Sequence, residues 1–198
     1  ADVSSAYDLV EARDKVLEEL GAPDLVITAA GVRRAANFDE AIPADWRRML
    51  ATNLRGTLQT VQTFSPDVLA AGERGDRADI VMLSSAPARE RQHAYLVFSS
   101  LGASLGQFSK HLRAEYGLRG VRVHYFDSIY TGGSFFTQGN LGSNRATSDH
   151  HDVIQGPLPE LESIAIDTAH VAEEVGFAAS LPVHVNMASA TILPLEGN

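Results

Sequence analysis

The chain has 198 residues, no cysteine and a formal net charge of −9. The lack of cysteine excludes a disulfide scaffold, thiolate catalysis and Cys-ligated zinc. The acidic balance argues against nucleic acid or an anionic membrane as the partner, since both need a basic face. No apolar run approaches membrane-spanning length. We therefore expect one soluble, cytoplasmic domain over residues 1–198.

Hydrophobic periodicity predicts helices and strands that alternate along the chain. Apolar residues at three- and four-residue steps predict helices over 4–20, 44–71, 93–116 and 168–180. Short apolar runs predict strands over 24–28, 80–84, 121–126 and 190–195. We expect Ser4 or Ser5 to cap the first helix, Gly21 to end it, and Pro66 to kink or interrupt the second.

This alternation predicts an α/β fold with a parallel sheet. The strands are apolar along nearly their whole length, which is typical of strands covered by helices on both faces. We expect the crossovers to be right-handed. The run 24–28 would be an apolar strand with no charge after Asp24 at its start, and such a strand needs a cover or a neighbour.

The segment 127–167 is rich in Gly, Ser, Thr, Asn and His, and an irregular stretch of this length is typical of a functional loop. It contains apolar residues that form either a substrate lid or a cluster packed on the sheet: Phe135, Phe136, Leu141 and Ile154. Residues 150–152 (His-His-Asp) are metal-binding types. Adjacent histidines on one loop rarely converge on an ion, so we predict no metal site.

Four stretches resemble the short-chain dehydrogenase/reductase family, in the family's order. Asp2-Val3 resembles the acidic-aliphatic pair beside the cofactor adenine, and 27–31 (ITAAG) resembles its Asn-Asn-Ala-Gly turn. The run 45–56 (DWRRMLATNLRG) is similar to the helix that carries the catalytic Asn. The run 80–85 (IVMLSS), with Ala-Tyr at 94–95, is similar to the strand and helix start that carry the catalytic Ser and Tyr. The C-terminal stretch 184–197 also resembles the family's last strand.

The resemblance implies a Rossmann-like doubly wound sheet in three α/β/α layers, here without the first strands. It implies a small-molecule substrate, NAD or NADP as cofactor, and a homodimer or homotetramer paired through helices 44–71 and 93–116. The implied catalytic residues are Asn53, Ser85 and Tyr95, and the implied cofactor-binding residues are Asp2, Val3, Ala30 and Gly31.

The chain also departs from the family pattern. The Gly-rich turn that holds the cofactor pyrophosphate is not in the sequence, so we expect the chain to lack the N-terminal cofactor-binding part. The Lys that follows the catalytic Tyr by one helical turn is replaced by Ser99. The segment between Ser85 and Tyr95 is shorter than usual, and 126–133 replaces the Pro-Gly loop that contacts nicotinamide.

Three hypotheses follow. The first is an oxidoreductase of this lineage seen as a fragment, whose missing N-terminal part supplies NAD(P) binding, so that this chain alone is not expected to be an active reductase. The second is an enzyme without a nucleotide cofactor, which uses Tyr95, Ser85 and His93 for acid/base chemistry such as isomerisation or cyclisation. The third is a non-catalytic dimer partner. Residues 89–93 either clamp an anion or form a solvated loop of mixed charge, and the second reading is favoured.

Overall fold

The structure is a computed structural model, and it describes residues 1–84, 95–128, 166–193 and 195. Helices and strands alternate along it, as predicted. In chain order they are α1 (Ala6–Glu19), β1 (Leu25–Thr28), α2 (Pro43–Met49), a π-helical segment (Leu50–Gly56), α3 (Thr57–Glu73), β2 (Asp79–Ser84), α4 (Leu96–Gly117), β3 (Arg122–Ser128), α5 (Thr168–Ser180) and β4 (Ser189–Ile192). Ser5 caps α1 by accepting a hydrogen bond from the backbone of Asp8.

The described strands form one parallel sheet in the order β1-β2-β3-β4. Val26 pairs with Ile80, and Ile80 pairs with Val123, so one row of side chains crosses three strands. These residues are buried with Val61, Val68, Leu105 and Leu112 of α3 and α4. Val81 and Phe126 point to the opposite face and pack against α5. The predicted Rossmann-like parallel sheet with helices on both faces is confirmed.

The expectation that every crossover is right-handed is wrong. The chain steps the same way across the sheet from β2 to β3 and from β3 to β4, yet α4 and α5 lie on opposite faces. The two crossovers therefore have opposite hands. The rule describes a helix that packs directly back onto the strand that feeds it. Here residues 129–167 separate β3 from α5, so the strand does not feed the helix directly.

The predicted helix over 44–71 is interrupted at a different place from the one expected. It runs from Pro43 to Glu73, but Leu50–Gly56 is π-helical, and α3 continues through Pro66. Pro66 and Gln62 are both exposed, so water can reach the Gln62 carbonyl that has lost its N–H partner. The interruption thus falls at the π-helical segment that contains Asn53. A π-helical turn changes the direction of the side chains on it, and here the Asn53 side chain is buried.

The apolar side chains of the two long helices pack against the core of the chain. Leu101 and Leu105 of α4 are buried, and Phe108 packs against the same core. The outward residues of α4 include Ser100, Ser104 and Lys110, which are exposed. Much of the apolar surface of α3 and α4 is therefore covered within the chain, although Phe64 and Phe108 are only partly buried and Leu96 is 58% exposed.

A buried ionic cluster ties the C-terminal segment to the sheet. Arg122 donates to both carboxylate oxygens of Asp79 at 2.7 Å, and His124 Nε2 lies 3.0 Å from Asp79 Oδ1. Arg122 also donates to the carbonyls of Ala179 and Leu181, at the end of α5. Burial opposes ionisation of Asp79, but the hydrogen bonds from His124 and Arg122 outweigh it and lower the pKa of the carboxyl group.

Strand β1 lies at the edge of the described sheet, and one of its faces is open. Leu25 and Ile27 are 37% and 45% exposed, whereas Val26 and Thr28 are buried under α3 and its neighbours. No helix in the described ranges has the length and apolar character needed to cross a bilayer.

Candidate active site

Three of the residues predicted for the site, Ala30, Gly31 and Tyr95, lie next to the carboxyl edge of the sheet, where ligands bind in open parallel α/β sheets. Ala30 and Gly31 follow β1 directly, with Ala30 exposed and Gly31 half-buried. Ser84 ends β2 and pairs with Asp127 of β3. Tyr95 immediately precedes α4 at this edge. Ser85 lies outside the described residues, as do 89–93, the predicted lid residues and 150–152.

Asn53 is buried in the π-helical segment, and its amide is fully engaged. Its Oδ1 accepts from Val32 N at 2.8 Å, and its Nδ2 donates to Val32 O at 2.8 Å. Its own carbonyl accepts from the Thr57 hydroxyl at 2.8 Å. The side chain therefore fixes the segment that follows β1. This geometry makes Asn53 a positioning residue for that segment.

Val3 and Asp2 are placed by contacts at the start of the chain. A Cβ on Gly56 would lie 2.7 Å from Val3 Cγ2, so Val3 packs directly on the backbone of the π-helical segment. Asp2 is exposed, and its Oδ1 accepts from both Ser4 N and Ser4 Oγ at 2.8 Å. These hydrogen bonds, that of the Ser4 backbone first, lower the pKa of Asp2. An oriented, ionised carboxylate is thus presented beside Val3.

Tyr95 is half-buried, and the guanidinium of Arg33 lies over its ring, 4.9 Å from the ring centre. One turn into α4, Ser99 N donates to Tyr95 O at 2.9 Å. The serine hydroxyl supplies no positive charge where the family carries Lys. Within the described part of the chain, a positive group lies over Tyr95 from Arg33, in the segment after β1.

Sequence reasoning missed Arg33. Its only signal in the sequence is its position just after a predicted strand, at the edge where ligands bind. Its neighbour Arg34 donates to Arg33 O at 3.4 Å and lies 3.9 Å from Asp45, which further fixes the segment. The approach of residue 33 to residue 95 is a tertiary contact that no local pattern encodes.

A second tyrosine, Tyr125, lies beneath this edge. It is 9% exposed, and its hydroxyl donates to Gly102 O at 3.1 Å. Burial, together with the negative charge of Asp127, raises the pKa of Tyr125 to about 12, although a hydrogen bond with Ser84 acts in the other direction. Tyr125 therefore stays protonated near neutral pH and braces the ends of β2, β3 and α4.

Two further observations concern the groups that could contact a ligand or a metal ion. The hydroxyl of Thr28, at the end of β1, is buried and finds no hydrogen-bond partner among the residues that the structure describes. Within the described residues, no three His, Asp or Glu side chains are placed to hold a metal ion.

The short-chain dehydrogenase family model matches residues 1–139 of this chain. The chain belongs to the short-chain dehydrogenase family. D-threitol dehydrogenase of Mycolicibacterium smegmatis is 34% identical over 123 residues, which are 62% of this chain and 46% of that relative. The probable oxidoreductase EphD of Mycobacterium tuberculosis is 32% identical over 120 residues, which are 61% of this chain and 20% of that relative. This short-chain dehydrogenase chain therefore spans less than half the length of these two relatives.

Solved structures of the family share the fold. An alcohol dehydrogenase from Thermococcus sibiricus, complexed with 5-hydroxy-NADP, superposes with a TM-score of 0.80 at 19% identity. The match covers 100% of this chain and 74% of that one. Serine dehydrogenase from Escherichia coli gives a TM-score of 0.76 at 20% identity, covering 98% of this chain and 74% of that one. At these sequence identities, the similarity shows that this chain shares their fold and nothing beyond it.

Proposed function

We propose that this short-chain dehydrogenase interconverts a carbonyl and an alcohol on a small molecule, with NAD or NADP as the hydride carrier. The observation that carries the proposal is the position of Tyr95. It precedes α4 near the carboxyl edge of the sheet, beside a segment pinned by Asn53, and the sequence resemblance assigns it the role of the family's catalytic Tyr. The D-threitol dehydrogenase and EphD matches support an oxidoreductase.

The proposed roles follow from these positions. The Tyr95 phenol donates a proton to the carbonyl oxygen during reduction and takes it back during oxidation. Ser85 orients the same oxygen with its hydroxyl. Asn53 acts through Val32, by holding the chain that lines the site next to Tyr95.

The described residues fit part of a dinucleotide. The oriented carboxylate of Asp2 and the side chain of Val3 suit an adenine edge, and the backbone of Ala30 and Gly31 suits the path of the cofactor along the sheet edge. The unpartnered Thr28 hydroxyl is a polar group left for a ligand or water nearby. The bound cofactor would supply the hydride. No turn rich in glycine faces a pyrophosphate within the described residues.

A specific observation favours a second candidate. Ser99 stands where a Lys would help to bind the nicotinamide ribose and to lower the proton affinity of the phenol. With a weakened or degenerate redox site, Tyr95 and Ser85 would still serve acid/base chemistry without a nucleotide. The products of the two candidates differ, since only the first changes the oxidation state of the substrate.

Assembly and location are also proposals. We place the protein in the cytoplasm as a homodimer or homotetramer, as its resemblance to the family implied. The apolar side chains of α3 and α4 add little support, because most of them are buried or partly buried within the chain. Light scattering on the purified protein tests the assembly: a strictly monomeric protein at high micromolar concentration would contradict it.

The activity test is a comparison of Tyr95→Phe with wild type in NADH and NADPH consumption over a panel of small carbonyl compounds. Loss of the proton donor should lower the rate by about 10² or more. Tyr116→Phe is the matched control, because Tyr116 is in the last turn of α4 and its hydroxyl bonds to Ser65 in the core, away from the edge. Equal rates for Tyr95→Phe and wild type would refute the proposal. Conversion of a substrate without nucleotide consumption, detected by mass spectrometry, would favour the second candidate.

A further inference from the structure

Both ring nitrogens of His124 face oxygen atoms that accept hydrogen bonds. Nδ1 lies 2.9 Å from the carbonyl oxygen of Met187, and Nε2 lies 3.0 Å from Asp79 Oδ1. A neutral imidazole has a proton on one nitrogen and a lone pair on the other, whereas an imidazolium donates from both. A neutral ring would direct its lone pair at one of these two oxygens. The imidazolium is therefore the form that satisfies both contacts.

The proton between His124 and Asp79 belongs to the imidazole ring. Arg122 donates to Asp79 Oδ1 through Nε and to Oδ2 through Nη2, each at 2.7 Å. Two hydrogen bonds from a guanidinium favour the carboxylate over the carboxylic acid, so Asp79 accepts and His124 donates. The side chains of Asp79 and His124 are both fully buried, so bulk water does not compete for these contacts.

The surroundings of the cluster suit the positive charge that the imidazolium adds. Asp79 balances one of the two cations, so that one net positive charge remains near the end of α5. The C-terminal end of a helix carries a partial negative charge, and α5 has no basic residue in its own last turn. Arg122 fills that role by donating to carbonyl groups at and after the end of the helix, those of Ala179, Leu181, Pro182 and Val185.

The groups that face His124 come from β2, β3, α5 and the segment between α5 and β4. Asp79 faces it from β2, and Arg122 joins it through the shared carboxylate. The ring of Phe126, on the same strand, stacks with it at 6.5 Å between ring centres. The side chains that α5 packs on this face of the sheet include Val175 and Ala178, which are apolar. In the described part of the chain, the ionisable partners in this cluster are thus Asp79 and Arg122.

The other contacts that hold residues 181–188 keep their charge state across neutral pH. Arg122 and Arg113 donate to carbonyls of this segment, and Asn186 exchanges two hydrogen bonds with the backbone of Val123. A guanidinium stays charged in proteins, and an amide does not titrate. Among these described contacts, the donor that can lose its proton near neutral pH is therefore the imidazole of His124.

The contact that breaks on deprotonation is the one with the segment. When the His124 ring is neutral, its remaining proton stays on Nε2, because a hydrogen bond to a carboxylate is stronger than one to a carbonyl. Nδ1 then directs a lone pair at the carbonyl of Met187. Two residues later the chain enters β4, which pairs along β3 from Tyr125 to Ser128. Attachment of β4 to the carboxyl end of β3 thus depends on this proton.

We propose that His124 is held as an imidazolium and that this buried cation is a proton-dependent latch, which fastens residues 181–192 to β3 when both ring nitrogens carry a proton. The docked segment requires two ring protons and a released, neutral His124 carries one, so release sets a proton free and rising pH favours it. The latch connects pH to the strand end that borders the candidate site. It is independent of the proposed function, since it invokes no catalytic residue.

The test is NMR on the wild-type protein over a series from about pH 5 to about pH 9, which brackets the range in which histidine side chains titrate. Labelling uses ¹⁵N in histidine and ¹³C in the methionine methyl groups. The chain has three methionines: Met187 reports on the segment, and the buried Met49 and Met82 are internal references. Loss of a signal in His124→Asn and in Met187→Leu identifies the two reporters.

Wherever Met187 shows its docked signal, both ring nitrogens of His124 should be coupled to a hydrogen of their own. As the pH rises, the Met187 signal should leave its docked position with the same midpoint as the loss of the His124 proton. The signals of Met49 and Met82 should stay in place.

Two variants assign the effect to His124. His124→Asn retains an N–H donor for the Met187 carbonyl but does not titrate, so the pH dependence of the Met187 signal should disappear. His184→Gln is the matched control, because His184 lies in the same segment and is exposed. It should keep the pH dependence of wild type.

Three results would overturn the inference: a docked Met187 signal together with a neutral His124 ring, a Met187 signal unchanged up to about pH 9, or the same pH dependence in His124→Asn as in wild type. If circular dichroism shows that His124→Asn does not fold, the two midpoints in wild type decide. Coincident midpoints support the latch, and separate midpoints contradict it.

Discussion

Asn53 closes a pair of 2.8 Å hydrogen bonds on the backbone of Val32, one to its N–H and one to its carbonyl. A primary amide is the side chain that matches a peptide group in this way, since it carries both a donor and an acceptor. The π-helical segment turns Asn53 inward, and the following Thr57 bonds to its carbonyl. The consequence is a fixed path for the chain from β1 to Arg33.

Asn53→Ala should therefore lower the free energy of unfolding by about 1–3 kcal/mol, because two backbone groups of Val32 lose their partners. Urea unfolding measures the change. Asn37→Ala is the control, since the exposed Asn37 makes one hydrogen bond with Glu40, and its loss should cost less than about 0.5 kcal/mol. Equal losses for the two variants would show that the Val32 clamp adds no stability.

The Asp79–Arg122 pair predicts an acid-dependent loss of stability. Asp79→Asn leaves a buried Arg122 without its counter-charge and should cost about 3–5 kcal/mol. Asp76→Asn is the control, because the Arg74–Asp76 pair is exposed at 60% and 57% and should contribute about 0–1 kcal/mol.

The pH dependence of that pair has a definite sign. The pKa of Asp79 is lowered in the folded chain relative to 3.8. Its contribution to stability is therefore fully present above that value and is lost as the pH falls through the folded pKa. The melting temperature of wild type should fall more steeply over this acid range than the melting temperature of Asp79→Asn. Parallel curves would contradict the ionised state of the pair.

Gly72, near the end of α3, marks a close approach to the turn that follows α4, and an added methyl group there should have a large effect. A Cβ there would lie 2.5 Å from the backbone oxygen of Arg119, so Gly72→Ala must displace backbone. We expect a loss of about 2 kcal/mol or more, in the range of overpacked cores. Gly117→Ala, where nothing lies within 4 Å of the added Cβ, should be neutral or stabilising by up to about 1 kcal/mol. Similar melting temperatures for both variants would contradict the close approach.

Ser99→Lys tests whether the missing lysine, which Ser99 replaces in the family pattern, limits the reaction. An ammonium one helical turn from Tyr95 should stabilise the phenolate and raise nucleotide-dependent turnover by about tenfold or more. Ser100→Lys is the control, because Ser100 is exposed and turned away from Tyr95 by one residue of the helix. An unchanged rate in Ser99→Lys would mean that the position of Ser85 relative to Tyr95 limits the chemistry, not the missing charge.

The sequence by itself determined the elements and the family. Apolar runs and periodic stripes depend on local spacing, so the strands and helices were predicted to within a few residues of their observed bounds. The motifs around Asn53 and Tyr95 indicated the family, and the family model confirms it. Local spacing also predicted a break in the helix over 44–71. It placed the break at Pro66, although solvent exposure lets that residue stay within α3.

Only the tertiary structure decided which side chains meet. Asp79 and Arg122 are distant in sequence and pair because β2 and β3 are neighbours in register. The face on which α5 packs, and with it the hand of the last crossover, depends on the path around the sheet and not on the apolar pattern of the helix. Arg33 reaches Tyr95 because Asn53 fixes Val32, a contact between segments that have no local pattern in common. Energies of such contacts depend on distances between remote residues, which periodicity does not encode.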